Sequence, residues 1–326
     1  MNTADFIQRL PKAEMHLHLE GAIPWDMTRE YADVSLPEIP EWLANDYRYN
    51  DFAHFGETMR LGIQRVLTSV ERYQMVASAI FQTLAAQNVR YVEISFGANL
   101  VLGKGFSVTD VTLALKEALP QGLSGAVIGA FNRERSYTLD DELVHAVFNS
   151  PVDGIDLHGT EILQSAQPYA DIFEAARQRG LMTKAHAGEL QGAESVWEAL
   201  KHLKVKRIEH GTRSIEDETL VQYLVDEQIT LDMCPTSNLK LCVVDDLRAH
   251  AIKTLFQKGV RVTVNTDDPT YFGCSLMDEL QLLVDVLGFT LPEVAEVQKN
   301  AFRAGKLSDS ERAAIFTEID ALVSEL

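Results

Sequence analysis

Residues 15–18 read Met-His-Leu-His, which places two imidazoles two positions apart at the close of a short apolar run beginning after Pro11. Alternate residues of a β-strand share a face, so His16 and His18 can grip one metal ion from a strand end. Taken alone, the pair reads more readily as two solvated histidines at a strand end. The chain then supplies His186, His210 and the pair Asp267-Asp268, each closing a strand-like run of its own. Three imidazoles and a carboxylate suit a borderline ion such as Zn2+, with a further position left for water. A bound divalent ion brings the pKa of such a water toward neutrality, so these residue types point to hydrolysis. Glu189, beyond the strand that ends in His186, could face a substrate instead. A carboxylic acid kept protonated by burial can then deliver a proton. His210 could orient the attacking water and share its proton. A turn after Asp267 could bring Asp268 round to the substrate.

Positioning residues spread from 16 to 268 requires elements whose ends converge. Short β-branched or apolar runs recur at Ala13–His18, Val89–Phe96, Gly125–Phe131, Gly154–Leu157, Met182–His186, Arg207–His210, Thr230–Met233 and Arg261–Asn265. Amphipathic helical patterns lie between them, among them Val70–Gln87, Pro168–Arg179, Glu194–Leu203 and Thr219–Glu227. Pro168 suits a first helical position, where its missing N–H removes no bond. Eight strands alternating with helices predict a parallel sheet closed into a (β/α)8 TIM barrel, an α/β fold with its active site at the C-terminal strand ends. One barrel domain over residues 1–326 is expected. The first interval breaks the rhythm: Leu36–Thr68 mixes Pro37, Pro40, Trp42, Tyr47, Tyr49, Phe52 and Phe55 with acidic residues. An aromatic insertion after the first strand reads as a helical lid, or else as a helix pair packed on the rim.

The chain has 326 residues, 46% of them hydrophobic and 24% charged, and a formal net charge of −19. That balance supports a large core and repels nucleic acid and anionic membranes. No basic leader followed by an apolar stretch opens the sequence, and no run approaches the ~20 apolar residues that span a bilayer. Cys234, Cys242 and Cys274 form neither a disulfide framework nor a thiolate zinc knuckle. The expected setting is the cytoplasm. No nucleic acid or membrane partner is expected, and homo-oligomer formation is left open.

Motif by motif, the chain resembles the adenosine and adenine deaminases of the amidohydrolase superfamily. The resemblance runs through PKAEMHLHLEGAIP (11–24), GIDLHGTE (154–161), KAHAGE (184–189), RIEHGTRSIED (207–217), CPTSNLKL (234–241) and VTVNTDDPTYFG (262–273). It implies one zinc ion held by His16, His18, His186 and Asp267. It also implies that Glu189 protonates purine N1 while His210 and Asp267 handle the attacking water. Asp268 would bond N7, and the backbone N–H of Gly159 would meet N3. The implied reaction is hydrolytic deamination at C6 of a 6-aminopurine to the 6-oxopurine and ammonia. Cytidine deaminases differ, pairing H-x-E with P-C-x-x-C; here Cys234 precedes Pro235 and has no partner at that spacing.

The departures concern the substrate. Adenosine deaminases usually carry Asp where this chain has Glu20, whose longer side chain could reach a sugar hydroxyl or fill the space a sugar needs. His158 and Thr160 flank Gly159 where smaller or acidic residues are usual. SNLKLCVV (237–244) is similar to adenine deaminases, whereas Ala22-Ile23-Pro24 and Asn265-Thr266 lean toward nucleoside enzymes. Adenosine or a derived nucleoside is the first expectation, with free adenine or an N6-substituted adenine the alternative. A catalytically inactive purine-binding protein on the same fold is a reading of another class. A lactonase or phosphotriesterase with two metals bridged by a carboxylated lysine would need Lys184 for that purpose.

Overall fold

The computed structural model describes residues 1–326. Its strands are β1 (Lys12–His18), β2 (Val89–Gly97), β3 (Ser124–Asn132), β4 (Gly154–His158), β5 (Met182–Ala187), β6 (Arg207–His210), β7 (Thr230–Met233) and β8 (Arg261–Val264). They form one sheet in sequence order, each parallel to the next. With helices around it, this is the expected (β/α)8 barrel, and each strand lies within about two residues of its predicted span.

Helices form where the apolar period and the caps agree. Leu291–Ala304 starts at a capping box between Thr290 and Glu293, with Pro292 in its first turn, and buries Val294, Val297, Ala301 and Phe302. Two expected helices differ in kind. Pro168 sits in a 3-10 turn, Gln167–Tyr169, before the α-helix Ala170–Gln178. The predicted Glu194–Leu203 helix is α over Ala193–Glu198 and then π over Ala199–Leu203. No helix is long and apolar enough to cross a membrane.

The outward faces of the strands make the core. Met15 and Leu17 of β1, Ile94 and Phe96 of β2, Ile208 of β6 and Leu231 of β7 are all buried in one apolar cluster. The inward faces carry charge: Glu14, Glu93, Asp156, Lys184, Arg207, Glu209 and Asp232 are all buried. They are paired across strands. Arg207 Nε donates to Asp232 at 2.8 Å and its Nη1 to Glu93 at 3.2 Å, while Lys184 Nζ forms an ion pair with Glu209 Oε1 at 2.7 Å. Lys184 also donates to the Met15 carbonyl at 3.0 Å. Its ammonium is therefore tied into the barrel interior, which removes the basis for a carboxylated, metal-bridging lysine.

The barrel closes between β1 and β8. Near the base, the Met15 N–H donates to Asn265 Oδ1 and the Ala13 N–H to Gln298 Oε1, each at 2.9 Å. At the mouth the backbone takes over: the Asp267 N–H donates to the His16 carbonyl, and the His18 N–H to the Asp267 carbonyl, both at 3.0 Å.

The insertion after β1 covers that mouth. The helix Phe52–Arg65 turns Phe52, Phe55, Met59 and Ile63 toward the cavity beneath it. The preceding segment is anchored to the β7 and β8 loops. Trp42 Nε1 donates to the Thr270 carbonyl at 3.1 Å, and Tyr49 Oη to the Tyr271 carbonyl at 2.9 Å. Phe55 stacks on Phe272 with ring centroids 5.0 Å apart.

Replacing Arg207 tests the interior pairing. Arg207→Met leaves Asp232 and Glu93 buried without their guanidinium and should lower unfolding free energy by about 3–5 kcal/mol. Denaturant unfolding checks this; a loss under about 1 kcal/mol would show that the pair is dispensable.

Candidate active site

Four strand ends deliver the predicted residues to one place. Alternation along β1 puts His16 and His18 on the inner face, with their Nε2 atoms 3.3 Å apart. His186, at the end of β5, brings its Nε2 to 3.2 Å from that of His18. Asp267 Oδ1 lies 3.4 Å from His16 Nε2 and 3.3 Å from His18 Nε2.

The outer nitrogens decide what these rings offer. His16 Nδ1 is 3.2 Å from the Asp232 carbonyl, which can only accept, so the ring proton belongs on Nδ1 and Nε2 is a bare lone pair. His186 Nδ1 faces Asp156 Oδ1 at 3.3 Å and Glu209 Oε2 at 3.0 Å, which places its proton on the same side. Burial opposes charge on His186, yet Asp156 and Glu209 pull its pKa well above the ordinary value. The pocket thus favours positive charge where imidazole lone pairs and a carboxylate converge. These residues fit a divalent cation of the kind that takes nitrogen and oxygen ligands.

Asp267 follows β8 with a φ of 61°, in the left-handed region. That turn is the one expected to separate the two aspartates. Its carboxylate stays on the imidazoles and accepts a bond from Ser237 Oγ at 2.7 Å, while Asp268 lines the cavity. Burial raises Asp267, but His16 and its other partners hold it well below the carboxylate range. Asp268 moves the opposite way, pushed well up by burial and then by the charge of Asp267, which favours its neutral form. Gly21 makes the room for it, because a Cβ there would come within 1.6 Å of Asp268 Oδ1.

Glu189 is buried, and burial followed by the charge of Asp267 pushes its pKa up to about 8. The turn that carries it is clamped. The N–H groups of Gly188, Glu189 and Leu190 all donate to the Glu161 carboxylate at 2.9 Å, and Ser195 Oγ donates to it as well. Arg133 adds a bond to the His186 carbonyl at 2.7 Å. His210 ends β6 with a φ of 67°; its Nε2 is 3.5 Å from Glu189 Oε1 and 3.8 Å from Asp267 Oδ2. Burial holds His210 well below its ordinary pKa, so it is neutral.

The cavity beneath the insertion measures about 550 Å3. Glu20, Gly159, Glu189, His210, Asp267 and Asp268 all line it, with His18 and His186 at its floor. Glu20 is buried, and its Oε1 accepts the Gly97 N–H at 3.0 Å. Every residue singled out for the site is gathered here except His16, which lies against His18 without lining the cavity itself. Sequence reading missed the groups that hold them: Glu161, Arg133, Ser237, Asn238 and the carboxylates under His186. Glu161 and Asn238 lie within quoted motifs, and period-two alternation from His186 to Lys184 or from Arg207 to Glu209 marks the inner face.

The model of the family described as "Adenosine deaminase" matches residues 11–322. A protein of Hahella chejuensis named adenine deaminase is 35% identical over 97% of this chain and 98% of its own length. The crystal structure of an adenine deaminase from Arthrobacter aurescens superposes with a TM-score of 0.88 at 32% identity, covering 97% of this chain and 99% of that one. A zinc-bound amidohydrolase from Burkholderia ambifaria shares the fold with a TM-score of 0.88 at 23% identity, over 100% and 95% of the two chains.

Two substitutions separate cation binding from the rest of the pocket. His16→Ala should release most of the bound metal on dialysis, because one donor to a shared ion is gone. Gly21→Ala should keep the metal yet reduce turnover by about 100-fold, because the added methyl displaces Asp268. Metal analysis beside steady-state kinetics checks both; full metal retention in His16→Ala would exclude that ligand.

Proposed function

The chain belongs to the adenosine deaminase family, hydrolases acting on C–N bonds of cyclic amidines, and we propose that it is a zinc enzyme converting free adenine and water to hypoxanthine and ammonia. The observation that carries the chemistry is a buried acid, Glu189, held beside a convergent set of imidazoles and a carboxylate. For the substrate, relatives at this identity and coverage bear the name adenine deaminase, which favours the free base over the nucleoside first expected.

His16, His18, His186 and Asp267 would hold one zinc ion, which when bound supplies Lewis-acid activation of water at neutral pH. The remaining roles belong to the chain. Glu189, protonated below about pH 8, gives its proton to purine N1, so that the ring nitrogen carries no developing negative charge as C6 is attacked. Asp268, kept neutral, donates to N7, and the Gly159 N–H donates to N3. His210 and Asp267 flank the attacking water. Glu20 spends one oxygen on Gly97 and offers the other to the cavity, where it accepts the imidazole-ring N–H of free adenine, a hydrogen that a nucleoside lacks.

A panel of adenine, N6-methyladenine and adenosine, scored by ammonia or methylamine release, tests the substrate. The cavity exceeds a bare purine, which is why the substituted compounds belong in it. Adenine should give the highest kcat/KM. Glu20→Ala should lower it by about 1–3 kcal/mol in transition-state binding, tenfold to more than a hundredfold. A clear preference for adenosine would overturn the free-base reading.

Glu189→Gln should retain metal and lose about 10²- to 10⁴-fold in turnover. The acid form of Glu189 is needed, so wild-type activity should fall as pH rises through about 8. That limb should be missing from the residual activity of Glu189→Gln. Near-normal turnover in the variant would end the proton-donor assignment.

A further inference from the structure

We infer that His210 acts in this reaction as a hydrogen-bond donor, its ring proton fixed on Nε2 by Asn238 and His250. The inference rests on the deaminase reading above and divides the labour between His210 and Asp267.

The reasoning starts at a group with no choice. The backbone N–H of Ile252 can only donate, and it points at His250 Nδ1 from 3.3 Å. His250 Nδ1 must therefore be the bare nitrogen, and its proton sits on Nε2. That nitrogen lies 3.0 Å from Asn238 Oδ1, which accepts from it. Thr212 Oγ1 donates to the same oxygen at 2.6 Å. With Oδ1 so placed, the amide nitrogen of Asn238 faces His210 Nδ1 at 3.3 Å and donates to it. His210 Nδ1 is then an acceptor, and the proton of the neutral ring is on Nε2.

No other arrangement closes. Flipping the Asn238 amide sets its NH2 against the His250 N–H. Moving the His250 proton to Nδ1 sets it against the Ile252 N–H. Moving the His210 proton to Nδ1 sets it against the Asn238 NH2. Each leaves two donors facing one another among residues that are all buried, where water cannot relieve them. Burial lowers His250 to about 3, which keeps it from becoming a donor on both sides.

The His210 Nε2–H thus enters the cavity between Glu189 Oε1 and Asp267 Oδ2. It can donate to the oxygen of the attacking water but cannot take its proton. The acceptor on that side is Asp267 Oδ2, which takes the Ser237 hydroxyl on one lone pair and keeps the other for the water. Water is oriented by His210 and deprotonated toward Asp267. Asn238 and His250 are positioning residues that reach the reaction only through His210.

The test reads the tautomer directly. In the zinc-loaded protein labelled with ¹⁵N-histidine, His210, assigned by its loss in His210→Gln, should show a protonated Nε2 and a bare Nδ1. Asn238→Asp offers a carboxylate to Nδ1; it should move the proton there and lower kcat by roughly 10²- to 10⁴-fold, with KM and metal content little changed. His250→Phe, which keeps the shape without the donor, should lose about tenfold or more in kcat. His250→Gln, whose amide nitrogen replaces Nε2, should recover most of it. A wild-type spectrum with the proton on Nδ1 overturns the inference even if every variant misfolds. So does an Asn238→Asp protein of normal kcat. The spectrum needs no substrate, so failure to deaminate any 6-aminopurine would count against the proposed function and leave the tautomer assignment to be judged by its own signal.

Discussion

Two backbone hydrogen bonds at Asp267 hold the mouth of the barrel shut, and the site is built on them. The same residue that accepts from His18 and donates to His16 along the seam turns its side chain onto both rings. Ligand spacing is therefore set by strand pairing, the stiffest geometry the chain has, and not by the packing of mobile side chains. A (β/α)8 fold meets its greatest difficulty where the last strand rejoins the first. Here the residues that solve that difficulty are the ones proposed to bind the cation.

Below the seam, the barrel interior is charged where many barrels are apolar. The carboxyl groups of Glu93, Asp156, Glu209 and Asp232 outnumber the cations Lys184 and Arg207, while burial drives Glu14 up to about 8 and favours its neutral form. This excess makes the upper layer electropositive in demand. It orients His186 and leaves its inward nitrogen ready for a cation. The same field separates the carboxyl groups of the mouth. Asp267 is kept ionised by the imidazoles, and its charge helps to keep Asp268 and Glu189 protonated.

Much of this was legible beforehand, and the reason is periodicity. Eight short runs with helical patterns between them announce a parallel barrel, and His-x-His at a strand end announces a shared face. Asp268 was expected to swing away after Asp267, and a left-handed φ does this. What stayed hidden depends on contacts across long sequence separations. Nothing near Glu161 tells that its carboxylate collects three N–H groups around Glu189, and nothing near His250 points to Asn238. The insertion's aromatic residues fit a lid or a rim alike, because its anchoring by Trp42 and Tyr49 depends on carbonyls more than 200 residues away. Choice of substrate was least legible, since a buried acid and a convergent set of imidazoles would serve a 6-aminopurine whatever its N9 carries.

His210 and Asp267 share the left-handed backbone conformation, which costs a residue with a Cβ about 1–2 kcal/mol and is eased where a short polar side chain such as that of Asp bonds locally. Glycine would relax both positions. That relief is smaller than the cost of emptying two buried positions and stranding Ser237, Asn238 and the imidazoles bonded to them, so stability favours keeping both side chains. Loss of either side chain is therefore expected to register as a drop in folding stability within an otherwise intact barrel, so that the site and the fold are kept or lost together.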